Sequence, residues 1–357
     1  MKRKPSIYLM LALLMFPQIV ETIYSPALAS ISDSFLVNAE RASQTLSIYF
    51  VAFAFGVLFW GVLADKWGRR PTMLSGLALY VISAVVAART SSFNLLLFAR
   101  ATGAFGIAVG SVVTQTVLRD CFSGKELAKV FNFMGMGIAV SPVLGMLLGG
   151  QLVSTGGYKA VFWALFVLAF CLLVVASIEQ KETRQKAEAT DLCILIAEML
   201  RDRQLLLNAG LVALFNIALF SYYQLGAFEF QRLGLTATDY GYSGIVLGLS
   251  TLFGSFLNKV LLQNNFSRER ILGVAVMSLL SGALGVFSLS SSLWFLLPML
   301  FVVSAFSLAI PNLLSSALTS YRANIGSAGA LFGLFYYLLI GMGLSLSGLV
   351  QSLEPRY

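Results

Sequence analysis

The chain contains no histidine. That absence removes imidazole zinc sites, Ser-His triads and imidazole proton relays together, so any proton chemistry must run on carboxylates. Charge is scarce as well, at 11% of residues against roughly 25% in a soluble domain. The three cysteines, Cys121, Cys171 and Cys193, have no metal-ligand spacing. Two fall in predicted cytosolic loops and one in a predicted membrane helix, so neither a disulfide nor a metal site is expected. No Gly-x-x-x-x-Gly-Lys-Ser/Thr stretch occurs, which excludes a P-loop ATP-driven pump. The sequence therefore predicts no enzyme, no metal and no cofactor.

What is present is apolar. Hydrophobic residues make up 58% of the 357, and the mean hydropathy is +0.84. They come in runs, at 6–29, 44–63, 72–88, 92–118, 128–154, 159–178, 204–228, 240–262, 271–290, 293–318 and 326–350. Runs of about 20 residues cross a hydrocarbon core of about 30 Å. Each must be helical, because lipid offers the backbone no hydrogen-bond partner. The expected class is an all-α membrane protein with eleven transmembrane helices.

The net charge of +8 does not indicate a nucleic-acid partner, since the cations sit in short loops between apolar runs. With the N-terminus in the cytosol, 18 of the 24 Lys and Arg fall on the cytosolic side, five outside and Arg100 within the membrane. The positive-inside rule then fixes that orientation. Lys2-Arg3-Lys4, the following apolar stretch and Ala27-Leu28-Ala29 mimic a signal peptide. The length of the run, with Glu21 and Pro26 just before the cleavage-like site, favours a retained span.

Residues 179–203 are the most charged stretch and predict a cytosolic linker, with a short amphipathic helix at Leu192 to Leu200. A weak repeat supports two halves: Gly61-Val62-Leu63-Ala64-Asp65-Lys66 is echoed by Gly254-Ser255-Phe256-Leu257-Asn258-Lys259. This predicts an N-terminal bundle of six helices at 1–178 and a C-terminal bundle of five at 204–357. The repeat's partner for run 159–178 falls past the end, so a twelfth helix is expected but missing.

Glu21 lies two-thirds of the way along the first run. A carboxylate at that depth costs several kcal/mol unless neutral, paired or facing water, and by default marks an ion or substrate pathway. Gln18, Glu21 and Ser25 share one stripe, expected to face a central cavity. Arg100 is two turns into its run. Either it snorkels to the outer interface, or it takes a carboxylate, carbonyl or water partner inside the membrane; a structural pair with Glu21 is the plainer role for both.

The turn Gly61-x-Leu63-Ala64-Asp65-Lys66-Trp67-Gly68-Arg69-Arg70-Pro71 resembles a signature loop of the major facilitator superfamily. Arg100-Ala101-Thr102-Gly103-Ala104-Phe105-Gly106 is similar to its second signature, with Thr102 where glutamine is common. Val140-Ser141-Pro142-Val143-Leu144-Gly145 is similar to the proline signature of its drug exporters. Glu21-Thr22-Ile23-Tyr24-Ser25-Pro26-Ala27-Leu28 resembles the Asp-Met-Tyr-Leu-Pro-Ala-Leu stretch of Bcr/CflA-like drug:proton antiporters, with the acid one residue early, about 100° around the helix.

The resemblance implies a two-bundle fold around a midplane site. It implies proton-coupled export of lipophilic or cationic drugs, with Glu21 and Arg100 in proton coupling. Gly61, Asp65, Gly68, Arg69, Arg70, Gly103, Pro142 and Gly145 would be conformational residues, with Asp65 facing the start of run 326–350. Candidate cargo contacts are Gln18, Tyr24, Gln115, Asn216, Tyr223, Asn312, Tyr336 and Tyr337; aromatic walls suit lipophilic cations. Expected partners are a small-molecule substrate, protons and the bilayer, with the chain a monomer. A metabolite, siderophore or nucleoside transporter, and a truncated non-transporting membrane protein, are the other readings.

Overall fold

The computed structural model describes residues 5–184 and 192–350. Lys2, Arg3, Lys4, Lys186 and Arg356, and the side chains of Cys193 and Arg322, lie outside the described residues.

The regular elements described are all helical. In chain order they are α1 (Ile7–Ile23), α2 (Ala27–Phe35), α3 (Ala39–Trp67), α4 (Arg69–Arg89), α5 (Phe93–Cys121), α6 (Gly124–Glu179), α7 (Leu192–Arg201), α8 (Arg203–Arg232), α9 (Ala237–Gln263), α10 (Arg268–Ser288), α11 (Leu296–Ala317) and α12 (Ile325–Val350). Short 3₁₀ turns precede α11 and α12. Among the described residues nine helices are each long and apolar enough to cross a membrane; α1 and α2 make ten if that bent pair is one span. The eleven runs differ from this count at α6, where 128–154 and 159–178 lie in one helix. Straight, its 56 residues would reach about 84 Å, well beyond a hydrocarbon core of about 30 Å. Gly156 and Gly157 interrupt it with non-helical backbone, Gly157 at φ 62°.

Local chemistry explains the boundaries. Asn38 accepts from the Arg41 amide at the start of α3, Asp202 from Gln204 and Leu205 at α8, and Thr236 forms a capping box with Asp239 at α9. Gly68, at φ 110°, makes the turn between α3 and α4. After Ile23 the chain breaks at Tyr24-Ser25-Pro26, and α2 leaves at 54° to α1.

Small residues bring the helices close. A Cβ on Gly56 would overlap the Phe105 carbonyl, and one on Gly106 the Gly76 carbonyl, so α3, α4 and α5 touch through backbone. Pro17 has no N–H and leaves the Leu13 carbonyl without its helical donor; Gly110 of α5 packs against that carbonyl. In the second half Gly254 of α9 meets Ser304 of α11, and Gly282 of α10 meets Val302. Gly103, expected on a packing face, lies on Ser83 and Tyr80 of α4.

Two seams join the chain before the 185–191 segment to the chain after it. One is α3 against α12, with Phe53 edge-on to Tyr337 at 5.0 Å and Gly341 on Val51. The other is α6 against α9, with Gly150 on Gly241 and Gly244 on Met146. Gln224 of α8 reinforces the first. Its amide donates to the Ser43 carbonyl at 3.3 Å and the Leu344 carbonyl at 3.1 Å, and it accepts from Ser347 at 3.0 Å.

Candidate transport cavity and its clasp

Between the seams lies a cavity of about 340 Å³. Its wall comes from α1, α3, α6, α8, α9, α11 and α12. Gln18 and Glu21 stand on one side, Asn216 and Tyr223 on another, and Tyr336 and Tyr337 close a third. The predicted cargo residues are therefore split. Gln18, Asn216, Tyr223, Tyr336 and Tyr337 stand on the wall with Glu21; Tyr24, Gln115 and Asn312 do not. Asn312 spends its amide on Asn258 and the Leu308 carbonyl, both at 2.8 Å. Of the conformational residues, Pro142 is on the wall, and Gly145 lies behind it against Thr22.

Glu21 is 1% exposed, and its Oε1 has no hydrogen-bond partner. Behind it, away from the cavity, is Arg100, 3% exposed. The snorkelling reading fails here, because the guanidinium is tucked between two rings. It lies 3.8 Å from the centroid of Tyr24 and 4.9 Å from that of Tyr49. Tyr24, expected as a cargo contact, is the seat of the arginine. Such stacking suits a planar, weakly hydrated cation. No N–O distance of 4.0 Å or less joins Arg100 to Glu21 among the described residues, so the two are neighbours without a closed ion pair. Arg100 Nε and Nη2 have no hydrogen-bond partner either. Orphaned buried polar atoms are rare and costly, and their clustering beside a cavity marks a site rather than a packing core.

Sequence reasoning missed part of the wall: Phe50, Phe220 and Phe306 supply apolar and aromatic surface, and Thr251, Ser255 and Ser307 add hydroxyls. Thr251 and Ser255 stand i, i+4 on one helix, a polar stripe that was readable within run 240–262.

The signature loop forms a clasp at the α3–α4 turn. Arg69 Nε donates to Asp120 at 2.8 Å, and its Nη1 to Asp65 and the Ala64 carbonyl, each at 2.8 Å. Asp65 is exposed and holds Arg69; the side chains at the start of α12, which it was expected to face, lie outside the described residues. Gly61 of the signature lies beside Ala330 of α12. Arg70 donates to the Ser177 carbonyl at the end of α6, at 2.8 Å.

Glu182, unmarked in the sequence, is the clasp's other half. It accepts from the backbone N–H of Arg69 at 2.9 Å, Arg70 at 3.1 Å, Thr183 at 3.0 Å and Arg184 at 2.8 Å. Burial raises its pKa, but those N–H groups outweigh burial and hold the carboxyl below the usual carboxylate range. Gly68 carries the left-handed backbone of this turn, and a Cβ there would displace this carboxylate.

A ring of crossing helices, a buried acid on the cavity wall and a cation stacked behind it define a membrane transporter. Residues 10–344 match the Major Facilitator Superfamily, and the chain belongs to it. An uncharacterized transporter of Rickettsia felis is 29% identical over 350 residues, covering 93% of this chain and 86% of that protein. Multidrug resistance protein D of Escherichia coli is 33% identical over 189 residues, covering 52% and 48%. A bicyclomycin resistance protein homolog of Haemophilus influenzae is 26% identical, covering 95% and 87%. Multidrug resistance proteins and a bicyclomycin resistance homolog are thus among the proteins this chain is similar to. In fold it is similar to a bacterial homologue of the lysosomal transporter Spinster in an inward-facing, unoccupied state, with a TM-score of 0.74 at 16% identity, covering 97% of this chain and 82% of that one.

Proposed function

We propose that this chain is a proton-coupled secondary transporter that exports lipophilic or cationic organic molecules by alternating access. The observation that carries the reading is Glu21, a buried acid on the wall of a largely apolar cavity with Arg100 stacked behind it. The resistance relatives support the substrate class. The chain crosses the bacterial inner membrane eleven times, with α6 folding back at Gly156-Gly157 into two crossings and the N-terminus in the cytosol. Residues 1–178 and 204–357 act as two bundles joined by 179–203, and the chain works as a monomer.

The cycle follows from where the acid sits. Glu21 takes a proton from outside when the cavity opens outward, and cargo leaves. After the bundles rock, the proton is released inward and new cargo binds against the aromatic wall of Phe50, Tyr336 and Tyr337. Each charge crossing with the field gains about 2.3 kcal/mol per 100 mV. Arg100, stacked between Tyr24 and Tyr49, places a cation behind the acid.

The test is dye movement driven by a pH gradient in vesicles holding the purified chain. Glu21→Gln cannot carry a proton and is expected to lose the gradient-driven component while still binding dye. Gradient-driven movement at the parent rate in Glu21→Gln would remove Glu21 from the role.

A further inference from the structure

Ser25 was expected on the cavity stripe with Gln18 and Glu21. It stands instead in the break between α1 and α2, fully buried, and reaches across to the second half. Its hydroxyl meets the Tyr223 carbonyl of α8, and its oxygen lies 2.7 Å from the Tyr240 hydroxyl of α9. Tyr240 in turn donates to the Tyr222 carbonyl at 3.0 Å. A Cβ on Gly226 would strike the Tyr240 ring, so that glycine is what admits the ring to α8. Ser243 donates to the Tyr240 carbonyl at 2.6 Å and meets the Tyr222 hydroxyl, which fixes the frame.

The hydrogen count is the informative part. Ser25 and Tyr240 have one hydroxyl hydrogen each. The geometry offers three contacts: Ser25 to Tyr223, Tyr240 to Tyr222, and Ser25 to Tyr240. Two hydrogens cannot serve three contacts. One contact is always an oxygen facing an oxygen with no proton between, and the unsatisfied contact moves as either hydroxyl rotates. A fully satisfied knot buried here would hold the halves shut; this one is short by one proton and is held in part by packing.

We propose that Ser25 and Tyr240 are positioning residues that form a releasable latch, closing the cavity at the end where α1 bends. The inference rests on the alternating-access reading. The neighbouring seam favours the same place, since Gly145 and Gly149 of α6 press on Thr22 and Ile23, and Gly150 on Gly241. Glu21 is in the last turn of α1, four residues before Ser25, so a movement of the acid's segment reaches the latch directly.

The test needs no transport. Spin labels are placed on exposed Ser34 of α2 and Ser291 before α11, in a background with Cys121, Cys171 and Cys193 replaced by serine. Their distance distribution is measured in detergent. Ser25→Ala and Tyr240→Phe are each expected to raise the ratio of the long-distance to the short-distance population about fivefold, the worth of one net hydrogen bond. Ser25→Thr keeps the hydroxyl and is expected to restore the parent ratio. An unchanged ratio in both Ser25→Ala and Tyr240→Phe, with monodisperse elution, overturns the latch. Tyr240→Phe removes one oxygen and decides alone if Ser25→Ala does not fold. Because the readout is a distance, loss of the Glu21 coupling result leaves this one standing, and the reverse.

Discussion

Arg100 and Glu182 show two ways for a charge to live at the edge of an apolar fold. Arg100 is satisfied by ring faces, with part of its hydrogen-bonding capacity unused. Lysine has no planar face to lay between Tyr24 and Tyr49, so Arg100→Lys is not conservative. Arg100→Lys is expected to lower gradient-driven dye flux about 2- to 30-fold while the chain still elutes as a folded species, since a stacking contact is worth about 0.5–2 kcal/mol. Parent-level flux in that variant would reduce Arg100 to a packing role. Glu182 is satisfied the opposite way, by four backbone N–H groups at the start of α4 and its own loop. Its carboxyl is held below the ordinary range, so its stabilisation is fully present above the unfolded value of about 4.3 and is lost as pH falls through the lower folded value. Glu182→Gln is expected to cost about 1 kcal/mol at neutral pH, the value of a helix cap. Thermal unfolding of parent and variant should converge in strong acid; a difference that persists there would mean that the carboxylate charge is not what the clasp uses.

At the scale of elements, helix existence was legible and helix partnership was not. Runs of apolar residues announce spans because lipid leaves the backbone no alternative. The break in α6 was also visible, as a pair of glycines between two runs. What periodicity does not carry is which small residue meets which backbone. Gly149 and Gly135 share one helix and look equivalent in sequence. In the structure a Cβ on Gly149 would overlap the Ile23 carbonyl, whereas a Cβ on Gly135 meets nothing within 4 Å. Gly149→Ala is therefore expected to destabilise by about 1–3 kcal/mol through forced separation of α1 and α6. Gly135→Ala is expected to stabilise by about 0.5–1 kcal/mol, by helix propensity alone. Unfolding midpoints in one detergent check both, and equal shifts would show that close backbone approach of α1 and α6 contributes nothing to stability. The same limit explains the site: Tyr24, Gln115 and Asn312 had the right chemistry for cargo, but only packing decides which side of a helix is walled off.

For the whole molecule the cavity is asymmetric between its ends. Near Tyr223 and Leu247 its wall is buried, and the latch residues Ser25 and Tyr240 lie beyond. Toward the other end it is bounded by Gly135, Ser255 and Leu314, all exposed. These sit on the helix ends that lie with the Gly68 clasp, because α9 and α3 both run from the latch end to the clasp end. Glycine-on-glycine packing of α6 against α9 closes the first end and does not extend to the second. In the proposed orientation the clasp end faces the cytosol, and the structure is then the inward-open member of the proposed cycle. A cysteine at Ser255, in the serine-substituted background, is then expected to react with a charged thiol reagent supplied from the cytosolic face, and a cysteine at Leu247 more slowly. Reagent added only from the outer face is expected to leave both unlabelled until Ser25→Ala or Tyr240→Phe is introduced, when the outer-face rate at Leu247 should rise. Fast labelling from outside in the parent would invert the assignment of faces, and with it the direction in which Glu21 loads its proton.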